Sequence, residues 1–282
     1  MKNKIMNVQR DQITTSSAYD GHHDATPHGS DRPLILLTND DGYDAAGLQA
    51  LRRAAQMVGE TWVVAPEGAR SGAACSISST GTVALRTVDA EAHIHACTGT
   101  PVDCVKLALE HVVPRRPVLV LSGINHGDNA SISIHYSGTM GAVLEACMKG
   151  ITAVGVSLYL RRGETYADHP VSDATIEALG CLLRRVVAQG LPQDTCLNIN
   201  LPPRELLTGW RLCRQARGSW SAEWADAHHP FGGRHYWLTG TFTNLEPDAT
   251  DTDFAALRDG AASVVPISVD MTAHEALRSL VL

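Results

Sequence analysis

"LLTNDDGYDAAGLQALRRAA", residues 36–55, runs from aliphatic residues through Asn39-Asp40-Asp41-Gly42 straight into a helix-like pattern. Leu48, Leu51, Ala54, Ala55 and then Val58 recur at the spacing of a helix that buries one face. The preceding "PLILLT", residues 33–38, is continuously apolar, which suits a strand buried on both faces. Two adjacent carboxylates therefore stand at the tip of a buried strand. Asn, Asp and Gly are also what ordinary turns use, so the pair alone reads as a turn. The rest of the chain has to choose between a turn and a metal site.

"TWVVAP", residues 61–66, is the next strand, giving strand, helix and strand within about 35 residues, the size of a βαβ unit. A β-rich stretch at 83–97 precedes "TPVDCVKLALEHVV", a helix with proline in its first turn. "PVLVLSG" (117–123) and "AVGVSLYL" (153–160) are strands, with the helix "GAVLEACMKG" between them. An amphipathic helix over 172–189 and the strand "CLNINLPP" follow. This alternation predicts an α/β fold, a mainly parallel sheet covered by helices on both faces. From about residue 209 the pattern changes to short β-like pieces carrying Trp210, Trp220, Trp224 and Trp237. The expected organisation is a flexible leader at 1–32, a core at about 33–208, and a C-terminal hairpin or arm with a return strand and helix at about 209–282.

With 282 residues, 44% hydrophobic and 19% charged, the chain can bury a sizeable core. A net charge of −7 lacks the basic footprint of a nucleic-acid polymer binder. A small anionic substrate stays open, because a metal can supply positive charge locally. Seven scattered cysteines with no CxxC pair favour reduced thiols in a cytoplasmic protein. No segment is long and apolar enough to span a bilayer, so no membrane partner is expected. The leader carries His22, His23 and His28 but lacks the apolar stretch of a signal peptide, and "GHHD" reads as a solvated tail.

Each buried strand is followed by polar punctuation. After the first come Asn39, Asp40 and Asp41; after the second, "PEGARSG" with Arg70 and Ser71; after the third, "SGINHGDN" with Ser122, Asn125 and Asn129. In an open parallel sheet, ligands bind outside the carboxyl ends of the strands. Carboxylate, hydroxyl and amide oxygens are hard donors that suit Mg²⁺, Mn²⁺ or Ca²⁺ rather than zinc. With two formal negative charges the ion keeps room for water and an anion, as a catalytic site requires. "HYSGTMGAVLEA" places Ser137, Gly138 and Thr139 at a helix start, either an anion site or a plain cap. Neither a GxxxxGK[ST] loop nor a GxGxxG fingerprint occurs, so ATP hydrolysis and dinucleotide binding lack support.

Six motifs in order, "LLTNDDGYDAAGLQAL", "VVAPEGARSG", "GTPVDCVKLAL", "VLSGINHGDN", "YSGTMGAVLEA" and "TDFAALRDGAASVVPISVDMTAH", closely resemble those of the SurE family of metal-dependent 5′/3′-nucleotidases. The resemblance spans residues 34–274. It implies a Rossmann-like core, one divalent ion per subunit held by Asp40, Asp41, Ser71 and Asn125, and arms exchanged within a homodimer or homotetramer. The loop "NASISIH" (129–135) departs from the Gly-rich acidic version of many relatives and is where substrate choice would be shaped.

By the same resemblance Asp270 and His274 belong to catalysis. Four residues apart, they share a face if the chain is helical from Thr272, and the carboxylate would then orient the imidazole to donate a proton. A C-terminal capping pair is the alternative. Asp40 completes the catalytic set, attacking phosphorus or activating a water. Asn39, Asn129, Ser137, Gly138 and Thr139 make up the expected substrate and phosphate contacts, although Asn39 also reads as a residue that holds its own loop. The tryptophans read as arm packing more than as platforms for a base.

The expected activity is hydrolysis of nucleoside 5′-monophosphates, with 3′-monophosphates as a further class. The alternatives are a non-catalytic nucleotide-sensing module and a metal-dependent transferase using a nucleotide-sugar donor.

Overall fold

Ile35 and Leu37 face one side of the first strand and Leu36 the other, and all three are inaccessible to solvent. A strand with no solvated face has to lie inside the sheet with helices above and below it. The computed structural model describes residues 32–161, 163–203, 205 and 207–281. Apart from Arg32, the expected leader lies outside them.

The chain runs β1 (Leu34–Thr38), α1 (Ala46–Gln56), β2 (Glu60–Pro66), β3 (Leu85–Asp89), β4 (Ile94–Cys97), α2 (Pro101–Leu107), β5 (Leu119–His126), α3 (Gly138–Met148), β6 (Thr152–Leu158), α4 (Asp173–Gln189) and β7 (Thr195–Leu201). It continues through β8 (Trp210–Leu212), β9 (Gly218–Ser221), β10 (Trp224–Ala227), β11 (His235–Leu238), β12 (Thr241–Asn244), α5 (Asp253–Arg258), β13 (Ala262–Ser268) and α6 (His274–Ser279).

Among the described residues, nine strands form one sheet in the order β3-β4-β2-β1-β5-β6-β7-β13-β8. The run from β4 to β7 is parallel, while β3 and β13 lie antiparallel to their inner neighbours. Leu48 and Leu51 of α1 pack with Leu179 and Leu183 of α4 on Ile35 and Leu37. Val105 of α2 and Met140 and Val143 of α3 pack on Leu36, Val64 and Val120 across the other face. α3 buries almost its whole circumference, as expected of a helix inside a layered core. β2 and β5 flank β1 on opposite sides, so the strand order reverses at β1 and opens a crevice at the carboxyl ends of β1 and β5.

The C-terminal part differs from a simple appended arm. β8 and β13 complete the main sheet, and β13 pairs with β7 along six residue positions. Only the stretch from β9 to β12 leaves the sheet. It is a two-stranded antiparallel ribbon in which β9 pairs β12 and β10 pairs β11. Its far end exposes Trp224, Phe231, Trp237 and Leu238, each by two thirds or more. Among the described residues, no helix is long and apolar enough to cross a membrane.

Candidate functional site

The turn after β1 is fixed by Asn39. Its buried amide donates to the Gly42 carbonyl at 2.8 Å and accepts the Gly42 N–H at 3.2 Å. Gly42 has φ +118°, a conformation that side chains disfavour. Asn39 is therefore a loop-holding residue, buried and with both ends of its amide engaged.

The next two residues tie the neighbouring loops together. The Asp40 carbonyl accepts the Arg70 N–H at 2.6 Å, and the Asp41 carboxylate accepts the His126 N–H at 3.2 Å. One acidic turn thereby braces the loops after β2 and β5. The Asp40 side chain is almost fully buried, and its Oδ1 accepts the Thr139 hydroxyl at 2.5 Å. Burial pushes the Asp40 carboxyl up to about 6, against the Thr139 bond and with the charge of Asp41.

At the start of α3, a side chain on Gly138 would put its Cβ 3.0 Å from the Asp40 Cβ, so glycine permits this close approach. Ser137 caps the helix, its hydroxyl accepting the Met140 N–H at 3.0 Å. Thr139 has no accessible surface and is engaged by Asp40. Of the three residues expected to grip phosphate, Ser137 alone lines the cavity beside Asp40.

That cavity holds about 470 Å³ and brings together Asp40, Ser71, Asn125 and Ser137. Asp41 stands at its rim, outside the lining. The register of β5 shifts between Gly123 and Asn125, the kind of irregularity that re-aims a side chain at a sheet end. The Asn125 amide donates to the Gly127 carbonyl at 2.8 Å, which leaves its Oδ1 as the oxygen available to a ligand. Asn129 is clamped. Its N–H donates to Asn200 Oδ1, its carbonyl accepts from Asn198, both at 2.8 Å, and its own amide donates to the Ser157 hydroxyl.

Sequence reading missed several wall residues. Asp128 lines the cavity, and burial, reinforced by the charge of Asp253, pushes its carboxyl up to about 6. Asp253 in turn accepts the N–H groups of Ser131 and Ala216, pinning the base of the ribbon to the loop before α3. Tyr136, Trp220 and Glu223 complete the wall, so one of the tryptophans assigned to arm packing faces the cavity. No lysine or arginine lines it among the described residues. Arg70 is turned away and donates to the Thr98 carbonyl at 2.8 Å.

Asp270 and His274 are hydrogen-bonded at 2.9 Å, but both are largely exposed and away from this cavity. β13 is antiparallel, so Ser268 pairs with Thr195, the first residue of β7. The pair follows directly and stands at the opposite edge of the sheet, about 20 Å away at ~3.3 Å per strand residue. α6 begins only at His274, and Asp270 instead accepts the Thr272 N–H at 2.9 Å. Bonds from Thr272, then from His274, hold the Asp270 carboxyl down at about 2. Within one chain the pair closes the turn at Thr272 and stands at the start of α6.

The raised carboxyls have a consequence for stability. In the folded chain Asp40 and Asp128 take up protons near 6, against 3.8 for an ordinary aspartate, so the folded state binds more protons between those values. Under chelation, stability should fall as pH rises through that window. Asp128→Asn should flatten the dependence in urea unfolding at pH 4.5 and 7.5 (roughly the two ends of the window); an unchanged dependence would remove Asp128 from this account.

The family model described as "Survival protein SurE" matches residues 35–222, the region that holds β1, the acidic turn and all three loops. The chain belongs to the SurE family. It is 47% identical over 252 residues to a Phocaeicola vulgatus protein named 5′-nucleotidase SurE, covering 89% of this chain and 96% of that one. A Bacteroides fragilis protein of the same name is 41% identical over 88% of this chain and 96% of its own length. The crystal structure of SurE from Aquifex aeolicus superposes with a TM-score of 0.74 at 31% identity, over 88% of this chain and 98% of that one. The resemblance read from six motifs and the mainly parallel α/β sheet are both borne out.

Proposed function

We propose that this SurE chain is a 5′-nucleotidase that hydrolyses nucleoside 5′-monophosphates to nucleoside and phosphate, using one divalent cation. The observation that carries the reading is the character of the cavity wall. Asp40, Asp128 and Glu223 meet there with hydroxyl and amide oxygens, and no lysine or arginine joins them among the described residues. Such a wall repels a phosphate unless a cation accompanies it. The relatives named 5′-nucleotidase SurE supply the substrate class.

The donor set fits a hard ion. Asp40, Ser71 and Asn125 offer oxygens on the wall, and Asp41 offers another at the rim. When bound, the ion supplies positive charge that stabilises the transferring phosphoryl group. Thr139 holds Oδ1 of Asp40 and so fixes how the carboxylate is presented. The Ser137 hydroxyl faces the phosphate end.

Asp128 belongs both to this cavity and to a neighbouring one lined by Trp220, Phe242 and Phe254. It therefore stands between the phosphate end and the nucleoside end, where the ester oxygen departs. A carboxyl with a pKa near 6 can hold the proton that oxygen needs. Within one chain this role falls to Asp128 and not to His274. Trp220 offers a ring to the base. We assign 3′-monophosphates as a second substrate class, since they present the same phosphate group.

The exposed aromatic end of the ribbon and an α6 with no buried residue support a homodimer or homotetramer, from which the Asp270–His274 pair could reach the cavity of another copy. Seven free thiols support a cytoplasmic site of action.

The test is phosphate release from AMP and from p-nitrophenyl phosphate, with a nucleotide sugar as control. Release from both monoesters, with the sugar donor untouched, is expected; turnover of the sugar donor alone would replace this reading with a transferase. After chelation, Mg²⁺ or Mn²⁺ should restore activity better than Zn²⁺ at matched free concentration. Preferential rescue by zinc would point to nitrogen or sulfur ligands instead.

A further inference from the structure

Three cavities follow one another along the same side of the molecule. The second, about 720 Å³, shares Asp128, Trp220, Leu238 and Thr239 with the cavity of Asp40. The third, about 520 Å³, shares Tyr159, Arg161 and Phe254 with the second. The electrostatic character inverts along the row. The first has three carboxylates and no lysine or arginine, while the third has Arg161 and Arg258 with Tyr159 and Asn244 and no carboxylate among its described lining residues. In a chain of net charge −7 this is a local reversal.

The two guanidiniums are available in different degrees. The Arg161 side chain has no hydrogen bond or ion pair among the described residues; its backbone N–H donates to the Glu164 carboxylate and its carbonyl accepts the Glu164 N–H. Arg258 donates through Nη1 to the Pro247 carbonyl at 2.9 Å and through Nε to Asp259 at 3.4 Å, which leaves Nη2. A planar guanidinium with free donors on an aromatic-walled cavity suits a phosphate oxygen.

The spacing sets what can join the two ends. Arg161 lies three residues beyond β6, Asp40 two beyond β1, and β5 alone separates those strands. Two strand spacings of ~4.8 Å give a lateral offset of about 10 Å, the reach of one nucleoside. Between the ends lie the rings of Trp220, Phe242 and Phe254.

We propose that the third cavity is an anion subsite for a second phosphate carried on the 3′ oxygen of the substrate's nucleoside. This rests on the nucleotidase reading above and extends its substrate class to 5′-phosphorylated dinucleotides and nucleoside 3′,5′-bisphosphates. In the step itself, the oxygen of water bonds to the 5′ phosphorus and the bond from phosphorus to the 5′ oxygen breaks. That oxygen leaves with a proton, and the 3′ phosphate is unchanged.

The experiment uses the full chain with Mg²⁺ and compares AMP, the 5′-phosphorylated dinucleotide pApA and adenosine 3′,5′-bisphosphate, with products separated by chromatography. KM for the substrates with a second phosphate should lie about tenfold below that for AMP, the scale of one charge-assisted contact. Arg161→Ala should remove that advantage while kcat and KM for AMP stay as they were, and adenosine 3′-phosphate should be the first product from the bisphosphate at early times. An advantage confined to the dinucleotide identifies a diester subsite, and one confined to the bisphosphate a monoester subsite; either supports the proposal. Equal KM values for all three substrates, or an Arg161→Ala effect of the same size on AMP, would overturn the subsite alone. AMP left intact by the wild-type chain would overturn the nucleotidase reading, and the subsite with it.

Discussion

Asp41→Asn should lower AMP turnover by on the order of 10²–10³-fold, the loss that follows removal of one preorganised electrostatic contact. Asp40→Asn should do at least as much. Neither variant should unfold. Asp40 and Asp41 are neighbouring like charges, and Asp40 is buried with its carboxyl already pushed up to about 6. Neutralising either one relieves repulsion in the cation-free protein, so the melting temperature under chelation should hold or rise. The Asp41 oxygen that accepts the His126 N–H can be replaced by the amide oxygen of asparagine, so the brace between loops survives. A variant that keeps most of its cation-dependent turnover would take its residue out of the site.

Asp128→Asn should cost about 10²-fold on AMP, the lower end of what a positioned general acid contributes. Turnover of p-nitrophenyl phosphate should be spared, because p-nitrophenolate departs without needing a proton. The substitution keeps the oxygen that accepts the Ala130 N–H at 3.1 Å, so a collapse of the loop does not mimic the effect. Equal losses on both substrates would mean that Asp128 shapes the cavity and does not serve the leaving group.

Much of this site was legible before any coordinates. Apolar runs without alternation marked β1, β2 and β5 as buried strands, and the polar residues after each had to emerge at one edge of a parallel sheet. Asp40, Ser71 and Asn125 do share a cavity.

What was not legible depended on partners distant in sequence. Nothing in "ASVVPIS" states that β13 runs antiparallel, yet that direction alone carries Asp270 and His274 to the far edge. The same strand and β8 join the main sheet, so a cut after Leu207 would strip the core along with the ribbon. Deleting the span from β9 to β12 is the cleaner probe of the arm.

Thr139, expected at the phosphate, donates its hydroxyl to Asp40, because a buried carboxylate needs a hydrogen-bond donor. One signal was available and unused. Asn198 and Asn200 interrupt an otherwise apolar strand at alternate positions, and buried amides must find partners; here they clamp Asn129. Asp128 carried no signal, since an aspartate between glycine and asparagine reads as a turn.

The central claim is that the Asp40 cavity works as a cation-dependent phosphatase on nucleoside 5′-monophosphates. The most direct measurement is AMP hydrolysis by the chelator-treated chain as Mg²⁺ is added back, alongside Asp40→Asn. The account predicts a rate that rises from baseline to a plateau with Mg²⁺ for the wild type and stays at baseline for the variant. Full turnover in chelator, or a variant that follows the wild-type curve, would contradict it.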